Sequence, residues 1–439
     1  MTDADRILGE LLKTVAKDEG IKEPQFVIKA ISTGGANYTS TLHPITIKSY
    51  GMKDLELFAK VACVGEQIRE VIPADKIYAT ERFVYQKLAK IYENLQVKNN
   101  IPENEKLKFP KFYACKDTRL EETIILQNLM AQGYTCYDRF KPVTWEYAAA
   151  AVGALAMLHA LSYAYAKDDP EDFTKSVAER AFEVTGPEEQ VVDMLKMSET
   201  NALEMVPEEL KGRLKKFLSE KSGFENFKNY YVFARGPVLV HGDYRVSNIM
   251  YRRKMNFGRI EVGKRILIFI TDNKFCRQRR RVNCKTRYDY DTKKNLDLQT
   301  ANGKLDSLIP LDYQTLYAGV PLVDLLYFIF SGTDGQFRKY YYKRLILHYY
   351  DTFAGFLTKL GLNPETVYPK KHFDEDYRHY LPFGLIISIS ALPVVLIEPE
   401  KAPTMQGDAK VADMAIKPNE MFRKRFLEIV KDYIDWGVV

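Results

Sequence analysis

Apolar residues recur along the first 130 residues with two distinct periods. Alternation of period two marks "QFVIKAIS" from Gln25, "LHPITIKSYG" from Leu42 and "LELFAKVAC" from Leu55 as strands, with "YGMKD" as the turn between the last two. "FPKFYACKD" from Phe109 and "ETIILQNL" from Glu122 complete a set of five. Helical spacing appears twice, as a short amphipathic helix over residues 5–18 and again over Pro73–Leu95. In the second, Ile77, Phe83, Val84, Leu88 and Ile91 form an apolar stripe. Between the first two strands lies "STGGANYTS" (Ser32–Ser40), rich in Gly and small polar residues. Strand, Gly-rich loop, two strands, helix and two strands make an α+β pattern for a small lobe, predicted as a five-stranded antiparallel sheet with one helix.

From Thr144 the pattern turns helical. "TWEYAAAAVGALAMLHALSYAYA" predicts a long apolar helix capped by Thr144, and further helices are predicted over 187–221, 336–360, 373–391 and 419–436. No internal repeat and no Pro/Gly-rich linker appears. The expected organisation is an N-terminal helix (1–24), a small lobe (25–130) and a larger, mainly helical lobe (131–439), joined near Met130–Tyr134. The longest apolar run, Phe383–Ile397, is short of a membrane span and is broken by Pro393, so it predicts a buried helix and no membrane partner.

Composition sharpens this picture in two places. Five scattered cysteines (Cys63, Cys115, Cys136, Cys276, Cys284) show no C-x-x-C pairing, and the charged N-terminus has no apolar secretory core. Both predict a reducing, cytoplasmic setting without disulfides or zinc. The net charge of +6 is unevenly spread: Arg252–Lys294 holds 15 Lys and Arg against 4 Asp and Glu, a local +11 that leaves the rest of the chain at −5. The basicity belongs to one insertion-like stretch, and nucleic acid is not an expected partner of the main fold.

Candidate chemistry centres on "VLVHGDYRVSNIMY" (Val238–Tyr251), which sets His, Asp, Arg and Asn between apolar flanks. Asp312 ends a later apolar run in "LIPLDYQTLYAGVPLVDLLYF". An aspartate that takes a hydroxyl proton, followed by an Asn and a second Asp that hold metal, is what phosphoryl transfer from Mg-ATP requires.

With "GGANYTS", "ELFAKVA", "TERFVYQKL" and "IILQNLMAQGYTCYDRF", these motifs are similar to those of the ecdysteroid kinase-like (CHK kinase-like) family of the aminoglycoside and choline phosphotransferase superfamily. The resemblance implies a protein-kinase-like, two-lobed fold and an ATP- and Mg²⁺-dependent kinase that phosphorylates a hydroxyl of an ecdysteroid or xenobiotic-type alcohol. Carried over position by position, Asp243 is the catalytic aspartate, and Arg245 lends positive charge to the transferred group. Asn248 and Asp312 hold Mg²⁺. Lys60 meets the ATP phosphates and is held by Glu81. The backbone of Gly34, Gly35, Asn37 and Tyr38 covers the phosphates, Ser40 adds a hydroxyl, and Gln127 and Leu129 offer backbone groups to adenine. His241 is expected to organise the loop, His159 to be a satisfied core histidine, and Asp324 to cap a helix and brace the loop.

The chain departs from the family pattern in one respect. Asn248 and Asp312 are 64 positions apart, where the family has a short hairpin. Closure entropy grows only with the logarithm of loop length, so a surface extension at about 252–304 leaves Asp312 able to keep register. The segment reads as a basic insertion that binds an acidic surface or nucleic acid, as a solvated loop without a role, or as translated intron, the reading that the abrupt return to the family pattern favours. Two other functions compete. A protein kinase is opposed by "DYQ" at Asp312 in place of D-F-G and by the absence of A-P-E. A catalytically silent kinase-like binding protein would use the basic segment on nucleic acid or an anionic surface, with steep salt dependence.

Overall fold

The computed structural model describes residues 3–31, 39–70, 72–183, 188–231, 235–254, 258–262, 265–269, 303–403, 416 and 418–439. Strands β1 (Gln25–Ile28), β2 (Ser40–Lys48), β3 (Leu55–Ala62), β4 (Phe112–Lys116) and β5 (Thr123–Gln127) form one antiparallel sheet in the order β1-β2-β3-β5-β4. Period two divides β3 cleanly. Leu57, Ala59 and Val61 face helix α1 (Asp3–Asp18), while Phe58 and Lys60 face the interlobe cleft. Leu8 and Leu12 of α1 are fully buried against that sheet face, a gain of roughly 1.5–3 kcal/mol each. The N-terminal helix is therefore the second layer of the small lobe.

Helix α2 covers the other face. It runs as Ala74–Phe83, a π-helical turn over Val84–Leu88, and Ala89–Lys98. The π turn begins three residues after Glu81. Such an insertion rotates the helix face that follows it, and here it brings Val84, Tyr85 and Leu88 into the main core.

The large lobe is built round α3 (Trp145–Asp168), whose Ala-rich surface permits close packing, and Thr144 caps it by accepting from Tyr147 N at 3.3 Å. The span expected as one helix over 187–221 is two, α4 (Glu188–Met205) and α5 (Glu208–Lys221). Pro207 cannot donate within a helix and instead starts the second one. Then come α6 (Pro321–Gly332), α7 (Gly335–Lys359), α8 (Lys370–Val395) and α9 (Glu420–Asp435). Helix α8 passes through Pro393 instead of breaking there, because Phe383, Leu385, Leu392 and Val395 are fully buried on both sides of it. Helices α3 and α8 are long and apolar enough to cross a membrane, but most of each apolar window is buried inside the protein.

The hairpin that frames the basic segment stays paired, with one register shift between Leu305 and Ser307. Strand β6 (Thr135–Cys136) pairs with β8 (Ile249–Arg253), and β8 pairs with β11 (Leu305–Pro310) from Ile249↔Pro310 to Arg253↔Leu305. Lys254 N donates to Lys304 O at 2.9 Å, which closes the base of the extension. Within the extension, β9 (Gly258–Val262) and β10 (Arg265–Phe269) pair as an antiparallel ribbon, and the run Arg277–Arg281 lies outside the described residues. Strands β7 (Val238–Val240) and β12 (Tyr317–Gly319) pair, and Val238, Val240 and Tyr317 are buried together. Cys63, Cys115 and Cys136 are free thiols, while Cys276 and Cys284 lie outside the described residues.

Candidate active site

The loop between β7 and β8 is held from below by one buried carboxylate. Asp324, in the first turn of α6, accepts from His241 N at 2.6 Å and Gly242 N at 2.9 Å, and His159 Nε2 lies 3.1 Å from the same group. Tyr349 OH, 2.7 Å from His159 Nδ1, completes that histidine as a satisfied core residue. Asp324 braces the loop as expected but caps nothing, since Val320 holds the N-cap position of α6. His241 bonds Leu311 O through Nε2 at 2.9 Å. A carbonyl only accepts, so Nε2 carries the hydrogen and Nδ1 is left to take Asp243 N at 3.3 Å. Gly242 has φ of 84°, and a Cβ there would lie 2.2 Å from Thr315 O, so only glycine allows this approach.

Asp243 stands at the centre of a fan of donors. Its Oδ2 accepts from Arg245 Nε at 3.0 Å and Asn248 Nδ2 at 2.9 Å, and its Oδ1 accepts from Tyr327 OH at 2.7 Å. Leu311 N donates to Asn248 O at 2.8 Å, so the hairpin sets Asn248 beside the turn that carries Asp312 despite the sequence gap. Asp312 itself is left-handed (φ 64°, ψ 55°), an arrangement costly for a residue with a Cβ and typical of a functional constraint.

Lys60 bridges the lobes. Its Nζ lies 2.7 Å from Glu81 Oε1 and 2.5 Å from Asp312 Oδ1. Burial lowers the Lys60 ammonium, but the charges of Asp312 and Glu81 outweigh it and hold the group above the usual lysine value. At Asp312 burial pushes the carboxyl up, and Lys60 more than offsets it, so the group lies below its ordinary range. At Glu81 burial dominates, and the carboxyl stays above its ordinary value although Lys60 opposes this. One cation serves two carboxylates.

A cavity of about 670 Å³ opens above this cluster, walled by Lys60, Glu81, Gln127, Leu129, Asn248 and Asp312 together with Leu42, Phe58, Leu126 and Met250. Asp243 and Arg245 are not among the lining residues; Asp243 sits behind Asn248, which donates to it, and Arg245 is bonded to Asp243. Gln127 N donates to Lys111 O, so only the Gln127 carbonyl could serve a ligand. The Leu129 carbonyl accepts from Gln132 and Tyr134, which leaves the Leu129 N–H for the same purpose. Ser40 lines a smaller neighbouring cavity of about 230 Å³, which shares Lys60 and Glu81 with the large one and also meets Thr123 and Glu122. Gly34, Gly35, Asn37 and Tyr38 lie outside the described residues.

Sequence reasoning missed the aromatic column that joins the lobes behind this cluster. Tyr85 of α2 packs edge-on against Tyr313 at 6.0 Å, and Tyr313 lies 4.6 Å from the His241 ring. The Tyr85 hydroxyl also meets the backbone of Asp312. The adjacency of Tyr313 to Asp312 was the only signal available. Tyr327 was missed as well; its spacing of three from Asp324 on one helix was the available hint.

Comparison with known sequences decides the family. The ecdysteroid kinase-like family matches residues 34–263 and 294–362, well over half of the chain. The chain belongs to the ecdysteroid kinase-like family. The family is one of kinase-like phosphotransferases, and the α+β architecture, a five-stranded antiparallel sheet beside a mainly helical part, is the one that the resemblance implied. The family match passes over residues 264–293, so the departure from the pattern is narrower than the 252–304 stretch inferred from charge. No curated protein matches the chain. Among solved structures, the GDP complex of wild-type aminoglycoside 2'-phosphotransferase-IIIa is similar at 11% identity, covering 87% of this chain and 98% of that one, with a TM-score of 0.33.

Proposed function

We propose that this member of the ecdysteroid kinase-like family transfers the γ-phosphoryl group of ATP to a hydroxyl of a small molecule, an ecdysteroid or a xenobiotic-type alcohol. The observation that carries the reading is the convergence of Lys60, Asn248 and Asp312 on one cleft with Asp243 behind Asn248. Asp243 accepts the proton of the acceptor hydroxyl as the new O–P bond forms. The bond between the γ-phosphorus and the bridging oxygen breaks, and ADP leaves. Lys60 neutralises phosphate charge, and Glu81 keeps its ammonium aimed into the cleft. Arg245 is turned onto Asp243, so its first role is to hold that carboxylate.

The residues fit a divalent cation. Asn248 spends its Nδ2 on Asp243 and keeps its amide oxygen, and Asp312 has one carboxylate oxygen on Lys60 and one to give. An amide and a carboxylate oxygen suit Mg²⁺, whose remaining shell comes from phosphate and water. When bound, the ion neutralises charge on the transferred group.

Calorimetric titration of the full chain with ATP, in Mg²⁺ and in EDTA, tests this. Asp312→Asn is expected to weaken Mg-ATP binding by roughly 10- to 100-fold, since losing a charged contact costs about 1.5–3 kcal/mol, and not to weaken metal-free ATP binding, because Lys60 released from Asp312 is freer to meet the phosphates. Equal losses with and without Mg²⁺ contradict the assignment.

A further inference from the structure

We infer that Tyr327 is a positioning residue: by donating to Asp243 Oδ1 it fixes the carboxylate plane and marks Oδ1 as the atom that takes the acceptor proton. The inference rests on the proposed phosphoryl transfer and adds to it a residue and an atom.

Three observations carry it. First, Asp243 Oδ2 is occupied twice, by Arg245 Nε at 3.0 Å and Asn248 Nδ2 at 2.9 Å, which uses both of its lone-pair directions. Among the described residues Oδ1 accepts a side-chain bond from Tyr327 alone, at 2.7 Å, and so retains one direction for an incoming hydroxyl. Second, Tyr327 and Asp324 are three residues apart on α6 and present neighbouring positions to the same loop. Asp324 holds the backbone of His241 and Gly242, and Tyr327 holds the side chain of the next residue. One rigid helix therefore fixes both the path of the loop and the aim of the carboxylate. Third, the Tyr327 phenol remains a donor. Burial pushes it well above the ordinary tyrosine value, and the Asp243 charge adds to the effect.

In the transfer step the acceptor O–H proton passes to Asp243 Oδ1 while the acceptor oxygen bonds the γ-phosphorus and the bridging O–P bond breaks. The tyrosine proton stays on Tyr327 throughout. A carboxylate free to rotate would offer the acceptor a mixture of orientations, and loss of alignment lowers the rate without altering nucleotide contacts.

The test uses the full chain with Mg-[γ-³²P]ATP, water as the acceptor, and release of inorganic phosphate as the readout. Four proteins are compared: wild type, Tyr327→Phe, Asp243→Asn and the double variant. Tyr327→Phe keeps the ring, so its melting temperature and ATP affinity should stay close to those of wild type while phosphate release falls about 10- to 100-fold. In the Asp243→Asn background the same change should add less than twofold, because the group that Tyr327 positions is gone. Wild-type release from Tyr327→Phe, or an equal loss in both backgrounds, overturns the positioning role. A wild type that binds no ATP, or releases phosphate no faster than Asp243→Asn, overturns the phosphotransferase reading and this inference with it.

Discussion

Asp243→Asn is expected to leave nucleotide binding intact and to lower phosphoryl transfer by at least two to four orders of magnitude, the range that a general base supplies. The substitution is nearly isosteric. An asparagine oxygen can still accept from Arg245 and Asn248, and its amide can donate to the Tyr327 hydroxyl, so the hydrogen-bond fan around the position survives. What disappears is the negative charge that receives the proton. Lys60, Gln127 and Leu129 line the large cavity and Asp243 does not, so ATP affinity should change by no more than a few-fold. Binding and rate measured on the same preparation check this. A parallel fall in both would mean that the variant lost its fold rather than its chemistry.

The second large effect is on stability. Asp324→Ala removes an acceptor that is 1% exposed and serves two backbone N–H groups and His159. Each donor left buried without a partner costs about 1–3 kcal/mol, and His159 also loses its carboxylate partner. A loss of roughly 3–5 kcal/mol follows, a large fraction of the 5–15 kcal/mol by which domains are stable. Urea titration should show an early unfolding midpoint and activity lost along with it. A midpoint shift corresponding to less than about 1 kcal/mol would contradict the bracing role.

These two residues also mark how far the sequence could be read. The motifs that carry the family resemblance put Lys60, Asn248 and Asp312 on one cavity, with Asp243 hydrogen-bonded to Asn248. Period two sets Lys60 on the strand face away from Ala59 and Val61. The hairpin held across the basic segment because its pairing from Ile249↔Pro310 to Arg253↔Leu305 is local to both sides of it. Pro207 announced the break between α4 and α5, and helical spacing on either side of it masked the signal. Tyr327 and the column of Tyr85, Tyr313 and His241 were not legible. Their contacts join residues 84 and more than 200 positions apart, and periodicity reports which face is buried, never what it meets. The left-handed backbone of Asp312 was likewise hidden, since no glycine stands there to signal it. Ser40 opens the strand after the Gly-rich loop, and it lines a smaller cavity that shares Lys60 and Glu81 with the large one.

The central claim is that this cleft phosphorylates a small alcohol, and the most direct measurement is the fate of the γ-phosphoryl group. The full chain is incubated with Mg-[γ-³²P]ATP and a set of ecdysteroid and phenolic alcohols, and the organic products are separated and weighed by mass spectrometry. The account predicts a labelled phosphate monoester that forms with wild type, requires Mg²⁺ and is absent with Asp243→Asn. Label that appears only on protein or peptide, or a monoester formed equally well by Asp243→Asn, would contradict it.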